Sequence, residues 1–236
     1  MSHKLSHRSQ AFLDYLEDWQ AGLPVLPLDQ AMPEPHKVAI VSVDVIEGFC
    51  RIGPLSSSRV AGIIEPIVRL FNAAWSAGMH HILLIQDNHE PDAIEFGAYP
   101  PHCVRGTPEA ETVAELKALP FFDQMVVLPK NSVSTDLNTG LDAWMDAHPQ
   151  IDTWIAVGDC TDICTYQLAM HLRMAANSRQ LHHRVIVPAD CVETYDRPIA
   201  IAREQGGFAH DGDLLHTVFL YHMALNGVEV AKKIES

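Results

Sequence analysis

The sequence predicts an α/β fold, a three-layer α-β-α arrangement around a central six-stranded, mostly parallel sheet of Rossmann-like type. Three observations lead there. From residue 37 onward, short apolar runs alternate with stretches of helical length, as in successive βα units. The runs VAIVSVD, HILLIQD and WIAVGD are almost continuously apolar, as strands buried on both faces must be. Four of the runs deliver a reactive residue at or just past their C-terminal end: Asp44, then Asp87 with His89, then Lys130, then Cys164. In an open parallel sheet those ends share one edge, and ligands bind there.

The elements follow in order. Residues 9–20 (SQAFLDYLEDWQ) form an amphipathic helix with Ser9 as N-cap and Phe12, Leu13, Leu16 and Trp19 on one face. Residues 21–36 carry four prolines and read as an extended connection, so residues 1–36 make an N-terminal helical arm and residues 37–236 one domain. The arm packs on its own domain or reaches a neighbouring subunit. Strand 38–44 precedes helix 59–77, strand 81–87 precedes a long loop and helix 108–118, and strand 124–129 precedes helix 137–146. Strand 153–158 leads to helix 162–176, strand 183–189 to helix 209–225, and VEVAK supplies the sixth strand. The loop from 88 to 107 is too long to be only a connection.

Composition bounds the function. The 236 residues carry a formal net charge of −14 and no basic stripe, which excludes a nucleic-acid surface and suits a small neutral or cationic substrate. No apolar run reaches the ~18 residues of a membrane span. The N-terminus is polar and the cysteine count is odd (Cys50, Cys103, Cys160, Cys164, Cys191), so reduced thiols in a cytoplasmic protein are expected.

The chemistry gathers in two places. GDCTDIC lies where a buried strand turns into a helix, with Thr161 or Asp162 as cap and Cys164 in the first turn. There the free N–H groups lower a thiol pKa and can hold an oxyanion. A thiol attacking an amide needs a group to take its proton and return it to the leaving amine, and Asp44 can do both. Lys130 would balance the charge of carboxylate and thiolate. The second place is QDNHEPDAIEFGAYPPHCVRGT, with Asp87, His89, Glu95 and His102 as candidate ligands. Imidazole with carboxylate suits Zn²⁺, Fe²⁺ or Mn²⁺. Cys103 points away from His102 in an extended backbone and is structural. His80, His81, His182, His183, His210, His216 and His222 have no ligand spacing and read as surface or packing residues.

With these residues assembled, the chain resembles the isochorismatase-like cysteine hydrolases, and within them the nicotinamidases, over residues 37–232. Asp44 in VSVDVIEGF, Lys130 in LPKNSVST, Cys164 in GDCTDIC and the loop motif YPPHCVRGT carry the resemblance. It implies hydrolysis of nicotinamide to nicotinic acid and ammonia through a thioester on Cys164. Asp44 would shuttle protons, Lys130 would balance charge, and the N–H groups of Cys160 and Cys164 would form the oxyanion hole. It also implies a cis peptide between Asp159 and Cys160, a divalent metal (zinc foremost) that orients the pyridine ring, Phe49 and Tyr99 against that ring, and a homo-oligomer. Glu95 falls at a third ligand position. Tyr99 replaces a tryptophan, and Asp159 stands at a position that is usually apolar. Two other readings stay open: a related amidase with a ureido, carbamoyl or other heterocyclic substrate, and a catalytically silent metal-binding scaffold.

Overall fold

The computed structural model describes residues 5–235. Its main sheet has strands β2 (Val38–Val43), β3 (His81–Asp87), β4 (Val126–Lys130), β5 (Thr153–Asp159), β6 (Arg184–Pro188) and β8 (Glu229–Ala231), in the spatial order β4-β3-β2-β5-β6-β8. All neighbours are parallel. A seventh strand, β7 (Val192–Glu193), pairs only with the end of β5, so the sheet has seven strands where six are expected. A separate parallel pair joins β1 (Val25–Pro27) to β9 (Lys233–Glu235).

The strands are apolar at successive positions because each face packs under helices. Ile40, Ile82, Leu84, Ile155, Val157 and Ile186 face one side, with helix α2 (Ile64–Ser76). Ala39, Val41, Leu83, Ile85, Trp154 and Val185 face the other, with helices α4 (Cys164–Ser178) and α6 (Gly212–Leu225). Helix α3 (Leu141–Ala147) packs on the second face through Leu141 and Met145, while helix α5 (Ile199–Gln205) is largely exposed, with Ala202 its one buried residue. Helix α1 (Gln10–Ala21) lies on α6, where Trp19 meets Tyr221 edge-on at 5.2 Å between ring centroids and Thr217 donates to Gln20 at 2.7 Å. Among the described residues no helix is long and apolar enough to cross a membrane.

Several helices are shorter than their sequence pattern. The 108–118 segment forms only a 3₁₀ turn (Pro108–Ala110) and one α turn (Ala114–Lys117). Its backbone is used elsewhere: Glu47 N–H donates to Glu111 O, Val113 N–H to Val45 O, and the Thr112 hydroxyl to Gln86 Oε1. Helix 137–146 starts only at Leu141, because Asn138 and Gly140 take φ of 60° and 90°. Helix 59–77 breaks at Gly62–Ile63, four and three residues before Pro66, which has no N–H to return. Helix 209–225 starts at Gly212, capped by Asp211 accepting from Leu214 N–H at 3.1 Å, while Arg197 and His210 pair as an antiparallel bridge.

Candidate active site

The strand order reverses between β2 and β5, and this is where the reactive residues converge. Gly158 makes the approach possible. Its φ is +114°, and a Cβ there would fall 2.0 Å from Val43 O. Asp44 follows β2 in the left-handed region, φ 57°. Lys130 ends β4 directly beside Asp87, its register partner at the end of β3.

Asp44, Asp87, Lys130 and Cys164 are all buried. Lys130 Nζ lies 2.8 Å from Asp44 Oδ2, forms a short ion pair with Asp87 Oδ1, and stands 3.7 Å from Cys164 Sγ. Burial opposes the charge on Lys130, but Asp44, Asp87 and Cys164 together hold its pKa well above the ordinary value. Burial and the charge of Asp87 push Asp44 up to about 6 against the pull of Lys130. Burial would also raise Asp87, yet Lys130, His102 and His89 outweigh it and keep that carboxyl ionised.

Cys164 is the first residue of α4, as the turn pattern predicts. Burial pushes its pKa well above the ordinary thiol range, and Lys130 only partly draws it back. A fully desolvated thiolate facing two carboxylates is costly. Burial thus favours the thiol form, which attacks only once a base has taken its proton. The expected side-chain cap is also absent, since Ile163 stands at the N-cap position without a capping bond. Asp162 instead accepts from the Thr194 hydroxyl at 2.6 Å and meets His210 Nε2 at 2.8 Å. Thr161 Oγ1 meets His216 Nδ1 at 2.9 Å. His210 and His216 thus tie the nucleophile turn to the C-terminal third of the chain, a role their spacing does not reveal. In the turn, Ile163 and Thr165 N–H both donate to Cys160 O, and the N–H groups of Cys160 and Cys164 take no part in those bonds. The Asp159–Cys160 peptide is cis.

The loop after β3 folds three donors together. Asp87, His89 and His102 each offer one ligand atom within 4.8 Å of the others, and all three residues are buried. His89 Nε2 lies 3.4 Å and His102 Nε2 3.5 Å from Asp87 Oδ2. Ligands ~2.1 Å from a tetrahedral metal stand about 3.4 Å apart, so the spacing fits a divalent ion such as zinc. The outer nitrogens are already engaged: His89 Nδ1 with Asn131 Oδ1 at 3.3 Å, and His102 Nδ1 with Pro100 O at 2.8 Å. Both tautomers then leave Nε2 as the coordinating atom. His89 Nε2 is buried with no hydrogen-bond partner, the state of a ligand atom made for a cation.

Glu95 is not among the three. Its Oε2 accepts from Val133 N–H at 3.0 Å, although Oε1 is buried without a partner. Phe49 and Tyr99 stand 5.6 and 6.1 Å from the His102 ring between centroids, and both line a cleft of about 610 Å³ that also reaches Asp44, Asp87 and Cys164. Phe96, which the pattern does not single out, packs on His89 and His102. Cys103 is not one of the three donors, and its Sγ packs where a Cβ on Gly48 would sit, although its backbone is left-handed, φ 44°, where an extended one is expected. All five cysteines are free thiols.

An isochorismatase domain model matches residues 38–209. Nicotinamidase 1 of Arabidopsis thaliana is 30% identical over 237 aligned residues, spanning 89% of this chain and 93% of that protein. A cysteine hydrolase from Pseudomonas syringae pv. phaseolicola superposes with a TM-score of 0.69 at 24% identity, over 84% of this chain and 89% of that one. The pyrazinamidase of Pyrococcus horikoshii, solved in complex with zinc, superposes at 0.64 with 20% identity, over 83% and 98%. The chain belongs to the isochorismatase family and is a hydrolase of the amidase type.

Proposed function

We propose that this member of the isochorismatase family hydrolyses nicotinamide to nicotinic acid and ammonia through a thioester on Cys164. The observation that carries the reading is the single ammonium of Lys130 touching Asp44, Asp87 and Cys164 at once. That contact joins a nucleophile, a proton acceptor and a metal-ligand candidate in one buried cluster.

In this mechanism Cys164 Sγ attacks the carboxamide carbon as Asp44 takes the thiol proton. The N–H groups of Cys160 and Cys164 receive the oxyanion. Asp44 then gives the proton to the amide nitrogen, the C–N bond breaks, and ammonia leaves. Water attacks the thioester with Asp44 again as acceptor, and the proton returns to the departing sulfur. Lys130 keeps its proton and offsets the negative charge that moves between Asp44 and Cys164. Phe49 and Tyr99 bracket the ring. Asp87, His89 and His102 would hold a divalent ion, best matched by zinc, and such an ion would supply Lewis-acid chemistry for orienting the pyridine nitrogen.

The reading is tested by quenching the enzyme during turnover and weighing the intact protein. A mass increase of one nicotinoyl group, mapped to the peptide holding Cys164, is the expected result. A burst of ammonia with no adduct on that peptide overturns the thioester route.

A further inference from the structure

The mechanism above leaves one reactive group of the cleft without a role. Asp159 ends β5 beside Asp44, forms part of the cleft wall, and is 1% exposed. Its Oδ1 is buried with no hydrogen-bond partner, and its Oδ2 has only the Cys160 thiol at 3.9 Å. Lys130 is engaged by Asp44 and Asp87, and among the described residues no cation lies within ion-pair distance of Asp159. A charge buried in this way is held neutral instead. Burial and the neighbouring charges of Asp44 and Asp87 favour the protonated form, against the longer reach of Lys130. A neutral carboxyl presents an O–H donor and a carbonyl acceptor. With the Cys160 thiol as its one hydrogen-bonding partner among the described residues, the carboxyl keeps both for a group bound in the cleft that Asp159 lines.

We propose that Asp159 determines which amide this site prefers: a pyridine carboxamide carrying a hydroxyl on a ring carbon, hydrogen-bonded to the Asp159 carboxyl, in preference to the unsubstituted ring. The inference rests on the amide-hydrolase reading of the cleft and goes on to its substrate class. An apolar ring edge would leave the donor and acceptor of Asp159 unpaired, and sites built to hydrogen-bond a substrate group discriminate strongly against analogues that lack it. A cleft of about 610 Å³ has room for the substituent.

The test measures binding in a Cys164→Ala background, with nicotinamide and its ring-hydroxylated isomers as probes. At least one isomer is expected to bind ~10-fold more tightly than nicotinamide, with Asp159→Leu abolishing the preference and Asp159→Asn retaining most of it. Metal content and melting temperature are followed in each variant, since a merely structural residue would weaken all ligands alike. Should Asp159→Leu fail to fold, infrared difference spectra of the Cys164→Ala protein read the same contact. The protonated carboxyl stretch should shift with the preferred isomer, be unmoved by nicotinamide, and be missing in Asp159→Asn. Equal binding ratios with and without Asp159, or a stretch that no isomer moves, overturn the inference. Turnover by the Cys164 enzyme separates the two readings. Ammonia release with an unmoved ratio overturns the role of Asp159 alone. An Asp159-dependent preference without any release overturns hydrolysis and leaves the recognition standing.

Discussion

The backbone N–H of Asp87 donates to Oδ1 of Asp44 at 2.8 Å. The two aspartates end adjacent parallel strands, and the other oxygen of Asp44 and Oδ1 of Asp87 share the ammonium of Lys130. Asp87 Oδ2 is left for His89 and His102. The proposed proton carrier Asp44 and the candidate ligand Asp87 are therefore held together by one hydrogen bond and one shared ammonium.

Asp44 sets a pH requirement. Burial and the charge of Asp87 raise its carboxyl to about 6, and only the ionised form accepts the thiol proton. The turnover rate should therefore fall about tenfold per pH unit below that value. Asp44→Asn should lower kcat/KM by about 10²–10⁴. A pH–rate profile checks both, and an acidic limb that survives in Asp44→Asn would remove Asp44 from the proton path.

Asn131 follows Lys130, and its Oδ1 accepts from Glu90 N–H and from His89 Nδ1–H. It fixes the His89 ring from the nitrogen that is not turned to Asp87, and is not itself one of the three candidate ligands. Asn131→Ala should weaken zinc binding by about 10–100-fold, and His89→Ala should remove it. Competition with a chelator of known affinity reads the first and elemental analysis the second. Full metal stoichiometry in His89→Ala would contradict the ligand assignment.

Asp159 should make stability depend on pH in the sense opposite to a paired carboxylate. Its folded pKa is raised, so the native state keeps a proton that the unfolded chain loses. That contribution to stability is present below the unfolded value and declines as pH rises toward the folded one, by up to about 1.4 kcal/mol per pH unit. Asp159→Asn should accordingly melt at a higher temperature than the parent at pH 8, with a smaller gap at pH 5. A gap that narrows with pH would mean Asp159 is ionised in the fold.

His210 holds the nucleophile turn through Asp162 and is itself anchored by Tyr195 O at 2.8 Å. His210→Ala leaves Asp162 short of a buried partner, a loss of about 1–3 kcal/mol. The expected result is a lower kcat with metal affinity unchanged. Loss of metal together with kcat would place His210 in global folding instead.

Much of this site is legible from strand ends alone. Asp44, Asp87 and Lys130 follow apolar runs whose burial forces a parallel sheet, and a parallel sheet brings such ends to one edge. The partners of those residues are less visible. Asn131 and His210 act through single hydrogen bonds made by the tertiary fold, and no periodicity marks them. Helix 108–118 is misread for the same reason: its helical composition yields to backbone bonds with residues 45–47, which only the folded loop provides. Cys164 lies at a helix start as expected, whereas the desolvation that pushes its thiol up depends on everything packed around it and is not legible in the turn.

The most direct test is ammonia release from nicotinamide by the zinc-loaded protein, run beside Cys164→Ala with equal metal content. The account predicts release that Cys164→Ala abolishes while nicotinamide still binds. Release that persists without the Cys164 thiol, or binding and a full metal site with no release at all, would contradict it.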